Sequence, residues 1–139
     1  MRAFGLEEAG HYAEAERIGR RAVELDPTDA WSVHAVAHVL EMQGRAREGI
    51  HWIEREEANW AGKIHNFANH VWWHKALYQL ELGEHDAVLD LYDNAFRAEE
   101  TDDGLDIANA AAMLTRLKIR GVDCGSRWDL LADVAATKA

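Results

Sequence analysis

Histidine is the residue in this chain whose type and spacing point to chemistry. Six of the eight histidines fall between residues 34 and 74. His34 and His38 are four apart, which on a helix puts them one turn apart on one face. Trp31, three residues earlier, and Glu41, three later, extend that face. A second group follows, with His70 and His74 four apart and Trp73 between them. Such groups support three kinds of chemistry. Neutral imidazole and carboxylate are ligands for zinc or iron, so His34, His38, His70, His74 and Glu41 form a candidate metal set. Indole faces flanked by imidazole and carboxylate also make a ligand-binding surface, here Trp31, His34, His38, Glu41, His70 and Trp73. The same rings serve equally as a packed interface in which each N–H finds a partner inside the protein. Neither HExxH nor a Cys/His finger spacing accompanies the histidines, so the pattern permits a metal without specifying one.

Catalysis is a further step. A metal with an open position would activate water, and without metal a histidine beside Glu41 or Asp93 would do acid–base work. No spacing places Asp93 near the histidines, and no reaction is named, so the balance leans away from an enzyme. Cys124 lies in a glycine-flanked turn far from the histidines in sequence and reads as an ordinary small residue.

The elements that must hold these residues are helices. With 48% hydrophobic and 29% charged residues over 139 positions, the composition is that of one globular domain with a real core. One proline and abundant Ala, Glu, Leu and Arg favour helix over sheet. The net charge of −10 argues against nucleic acid or an anionic membrane as partner and suits a basic or zwitterionic one. A single cysteine excludes an internal disulfide and suggests a reducing, cytoplasmic setting. No stretch approaches the apolar length of a membrane span.

Tyr12, Ala15, Ile18, Gly19, Ala22 and Leu25 recur at helical spacing and predict one packing face over 11–25, with Gly19 and Ala22 small where two backbones approach. Pro27 ends this helix, and Thr28 or Asp29 caps the next, which runs to about Gln43. Further helices are expected over about 46–58, 68–82, 84–97, 105–120 and 126–136. Residues 59–67 read as an irregular connection, and Asn59 to Asn69 as a longer connector in preference to a flap. Trp52 and Trp60 are expected to close a hydrophobic seam and Trp128 to anchor the last helix. Gly10, Gly44, Gly83 and Gly121 punctuate the string at spacings of 34, 39 and 38.

Gly10, Tyr12, Ala15, Ala22 and Pro27, with Gly44 one repeat length after Gly10, resemble a tetratricopeptide repeat. The resemblance implies an all-α fold, a right-handed superhelix of antiparallel helix pairs, as a single array over residues 1–139. In that fold the first helix of each pair lines a concave groove. The positions of Trp31, His34, His38 and Glu41 match that groove face. Those of His70 and Trp73 match it on the next pair, with Leu77 below. Neighbouring helices of this kind would bring the four histidines towards one site. The implied role is a binding module or scaffold for a protein or peptide.

Asp26 to His38 with Glu41-Met42, Ala3 to Leu6, and His70 to Tyr78 with Glu81 to Glu84 are similar to the tetratricopeptide repeat protein 38 family. Tryptophan interleaved with paired histidines is not part of the general repeat consensus, so these runs are the more specific. Lys75 and Gln79 depart from the usual apolar positions. Members of that family are several hundred residues long. Only nine residues precede Gly10 where a helix of about 14 is expected, and Met1, Phe4 and Leu6 look like a cut surface. The expectation is therefore a fragment of a longer array, truncated in its first repeat, whose exposed ends would favour self-association.

Overall fold

The computed structural model describes residues 2–61 and 65–137. Among them the chain is all-α: eight α-helices, one π-helical turn and no strand. It divides into two compact units, Met1–Ile64 and His65–Ala139.

The first unit holds α1 (Arg2–Glu8), α2 (Tyr12–Leu25), α3 (Ala30–Met42) and α4 (Ala46–Trp60). Helix α3 carries the core. It packs against α1, α2 and α4, and Val33, Val36, Val39 and Leu40 are fully buried. Asp29 is the residue that caps it, accepting from the Ser32 backbone N–H at 3.1 Å and the Ser32 hydroxyl at 2.6 Å. Thr28 instead donates to Asp26 through its backbone N–H and its hydroxyl. The packing face of α2 is Ala15, Gly19 and Val23. This corrects the expected stripe at its end, because Leu25 is 70% exposed. Leu25 lies two residues, about 200° of helix rotation, beyond Val23 and so points away from the face that packs. Trp52 and Trp60 of α4 are buried as expected, and the Trp52 indole N–H donates to the Val33 carbonyl at 2.9 Å.

The second unit holds α5 (His65–Glu81), α6 (His85–Leu91), α7 (Gly104–Ile119) and α8 (Arg127–Ala136). Its core gathers Leu80, Val88, Phe96, Met113, Leu114 and Leu117, with Trp128 packed against it from α8. The helix expected over 84–97 changes character at Tyr92. Over Tyr92–Phe96 it widens to a π-helical turn, and the Arg97 N–H reaches the Tyr92 carbonyl at 3.0 Å. The connection expected over 59–67 is shorter than predicted, since α4 runs through Trp60 and α5 begins at His65. Residues 62–64 lie outside the described residues.

Four of the connections, α1–α2, α3–α4, α5–α6 and α7–α8, turn in the same way. Gly10, Gly44, Gly83 and Gly121 all have φ between 68° and 78°, where a Cβ would be strained. In every case the residue after the glycine donates its N–H to a carbonyl in the last turn of the preceding helix: His11 to Leu6, Arg45 to Leu40, Glu84 to Gln79 and Val122 to Leu117. These bonds satisfy carbonyls that the helix end would leave bare. Among the described residues no helix is long and apolar enough to cross a membrane.

Candidate functional site: two histidine pairs

In the first unit the pair is built by α3 alone. His34 and His38 project from successive turns, and their Nε2 atoms approach to 2.9 Å with ring centroids 4.3 Å apart. His34 is only 4% exposed, while His38 is half-buried. Phe4 of α1 closes over both, stacking on His34 at 5.6 Å and meeting His38 edge-on at 5.5 Å. Trp31 stands at the start of α3, 50% exposed and edge-on to His34 at 6.1 Å.

Glu7 of α1 supplies a carboxylate that the sequence did not suggest. Its Oε2 lies 3.7 Å from His38 Nδ1, is sealed from solvent and makes no hydrogen bond. Burial, with Glu8 and then Glu41 nearby, pushes the Glu7 carboxyl above its ordinary range. Glu7, Glu8 and His38 offer ligand atoms within 4.8 Å of one another. Glu41 sits exposed in the last turn of α3 and is not one of that group. No spacing rule finds Glu7, because it reaches His38 only once the Gly10 turn folds α1 back and α1 packs on α3.

In the second unit α5 repeats the arrangement. His70 and His74 bring their Nε2 atoms to 3.2 Å with centroids 4.7 Å apart, and His74 is 2% exposed. Trp73 stacks on His70 at 5.7 Å and donates its indole N–H to the Asn109 carbonyl at 2.8 Å. The Asn109 side chain of α7 hydrogen-bonds His70 Nδ1 at 3.1 Å. One residue along, Asn69 donates to Asp106, which also accepts from the Thr101 hydroxyl. A polar ladder from α7 therefore fixes the α5 face that carries the imidazoles.

The two pairs share more than their spacing. Trp31, His34 and His38 recur as Phe67, His70 and His74, each 36 residues on. The sequence reading aligned Trp31 with His70 and His34 with Trp73. The ring geometry aligns histidine with histidine and makes His70, not Trp73, the counterpart of His34, and His74, not Leu77, that of His38. The other candidates stand apart from these pairs. Asp93 is engaged by Arg127 through two bonds of 2.8 and 2.5 Å. Cys124 is buried, and burial pushes its thiol up, which opposes nucleophilic use.

No known family profile matches the chain, and no solved structure matches it.

Proposed function

We propose that the paired histidines bind a first-row transition metal ion, zinc or iron. The observation that carries this reading is the approach of the Nε2 atoms, 2.9 Å in His34/His38 and 3.2 Å in His70/His74. Two nitrogens about 2.0–2.1 Å from one zinc are roughly 3.3 Å apart at a tetrahedral angle and about 2.9 Å apart at a right angle. Both pairs thus hold near-chelating separations. Metal binding requires Nε2 to be bare, so that Nδ1 carries the proton and needs an acceptor. Glu7 stands on the Nδ1 side of His38, and the Asn109 amide, whose nitrogen faces His70 Nδ1 in the structure, would accept from it once flipped to present its oxygen. A bound cation would also offset the cost of burying the Glu7 carboxylate. Without metal, each contact is a single imidazole–imidazole hydrogen bond within packed helices.

Elemental analysis of the purified, untagged chain tests this, with His38→Ala and His74→Ala as controls. Near-stoichiometric zinc or iron, reduced in each control, is the expected result, and the same measurement counts the ions per chain. A folded chain that takes up neither metal would overturn the proposal.

A second reading is favoured by the half-exposed Trp31 beside His34. In it the chain is a tetratricopeptide-type superhelix, similar to the tetratricopeptide repeat protein 38 family. It would act as a cytoplasmic scaffold whose groove, with Trp31, His34, His38, Glu41, His70 and Trp73, takes a protein or peptide. The repeated glycine turns support the repeat character. The net charge of −10 favours a basic segment as ligand. Peptide binding of this kind survives chelation and weakens in Trp31→Ala. Binding abolished by chelator and unaffected in Trp31→Ala would remove it.

A further inference from the structure

The geometry points to a separate binding site for a small monocarboxylate at the π-helical turn of the second unit. A cavity of about 200 Å³ opens there between the turn and α8, lined by Tyr92, Arg97 and Arg127 with Ala98, Leu130 and Leu131. Asp93 and Glu100 complete its wall.

Arg97 is the reason to expect a ligand. It is 7% exposed, and its side chain makes one hydrogen bond, from Nη1 to the Thr101 carbonyl at 3.0 Å. Among the described residues no carboxylate pairs with it. A buried guanidinium without a counter-ion is costly, and its planar fork of five donors matches a carboxylate in two-point contact. None of its nitrogens is sealed off without a partner, so its unused N–H groups keep access to solvent, and Arg97 is part of the cavity wall. The π-helical turn is what puts it there. Widening the helix over Tyr92–Phe96 keeps both aromatic rings buried, 5.3 Å apart, and carries Arg97 to the cavity wall. Tyr92 adds a phenol. Burial raises its pKa, with Arg97 and Arg127 close enough to act in the opposite sense, so at neutral pH the hydroxyl is a donor.

Charge and size set the ligand class. Arg127 is occupied by Asp93, and Glu100 adds a negative group. The two arginines and two carboxylates of the wall sum to zero, so the site offers an anion only the uncommitted Arg97 fork, which favours a monoanion over a dianion such as phosphate. The Leu130, Leu131 and Ala98 side chains suit a short aliphatic body. The site shares no residue with the histidine pairs and stands independently of any metal.

The test uses the full, isotope-labelled chain and follows the arginine side-chain N–H resonances by NMR. The probes are sodium butyrate, neutral butyramide and inorganic phosphate. Butyrate should shift the Arg97 signal saturably with Kd on the order of 1 mM, butyramide should not, and phosphate should bind more weakly. Arg97→Gln should weaken butyrate about tenfold. Ala98→Leu narrows the cavity from an exposed position with every charge kept, so it carries the test should Arg97→Gln fail to fold, and it too should lose butyrate. The proposal is overturned by any of three results: no saturable shift in the folded chain, equal response to butyramide, or phosphate binding tighter than butyrate. Wild-type affinity in Ala98→Leu would overturn it as well.

Discussion

Replacing Gly19 by alanine is the sharpest test of how the first unit is packed. A Cβ added there falls 2.6 Å from Val36 Cγ2, with the Ser32 carbonyl at 3.5 Å and Ala3 Cβ at 3.6 Å. Ordinary contact begins near 3.4 Å, so α2 and α3 must separate by roughly 1 Å at this point. Val36 cannot rotate away, because a β-branched side chain in a helix has one strongly preferred rotamer. Overpacking of this kind costs about 1–3 kcal/mol. Alanine regains up to about 1 kcal/mol of helix propensity over glycine, which leaves a net loss of up to about 2 kcal/mol. For a unit of this size each kcal/mol lowers the melting temperature by about 4–8 °C. Gly5→Ala is the internal control: it is also helical, nothing lies within 4 Å of its added Cβ, and it should stabilise by roughly 0.5–1 kcal/mol. Thermal and urea melts followed by far-UV circular dichroism read both. In a double-mutant cycle Val36→Ala should relieve part of the Gly19→Ala loss, so that the pair costs less than the sum. Gly19→Ala melting at or above the wild type, or strict additivity with Val36→Ala, would refute the close approach of α2 and α3.

Two further outcomes follow from the ion pairs and caps. Glu16 accepts from Arg45 at 2.7 and 3.0 Å and from Arg20 at 2.8 Å, and chiefly the Arg45 bonds hold its carboxyl below the ordinary range. A folded-state pKa below the unfolded one adds stability that is present above the ordinary carboxylate pKa and is lost as pH falls through the folded value. Glu16→Gln should therefore cost about 1 kcal/mol at neutral pH, discounted for the partly exposed Arg45, and nothing in strong acid; urea melts across pH check the convergence. Asp29→Ala removes the α3 cap and should cost about 1 kcal/mol at neutral pH, measured by urea melts.

The candidate site was legible only in part. His34/His38 and His70/His74 announced themselves by their spacing, because four residues on a helix guarantee one face. Their carboxylate and amide partners did not. Asn109 reaches His70 across 39 residues, and no periodicity encodes such a contact. Helical spacing points to Glu41 and not to Glu7, because it relates neighbours along one helix and not neighbours across two.

What the sequence determined by itself is local: the helices, the stop at Pro27, a cap at Thr28 or Asp29 and the hairpin turns at Gly10, Gly44, Gly83 and Gly121. Each follows from backbone preferences that act within a few residues, so the residue type suffices. Tertiary structure alone decided which residues meet. It ended the α2 stripe at Val23, brought Glu7 to His38 and Asn109 to His70, and opened a cavity beside a buried Arg97. It also widened α6 into a π-helical turn in a stretch with neither proline nor glycine to signal it. These outcomes depend on burial and on partners distant in the chain, whose energies are settled only when the helices pack.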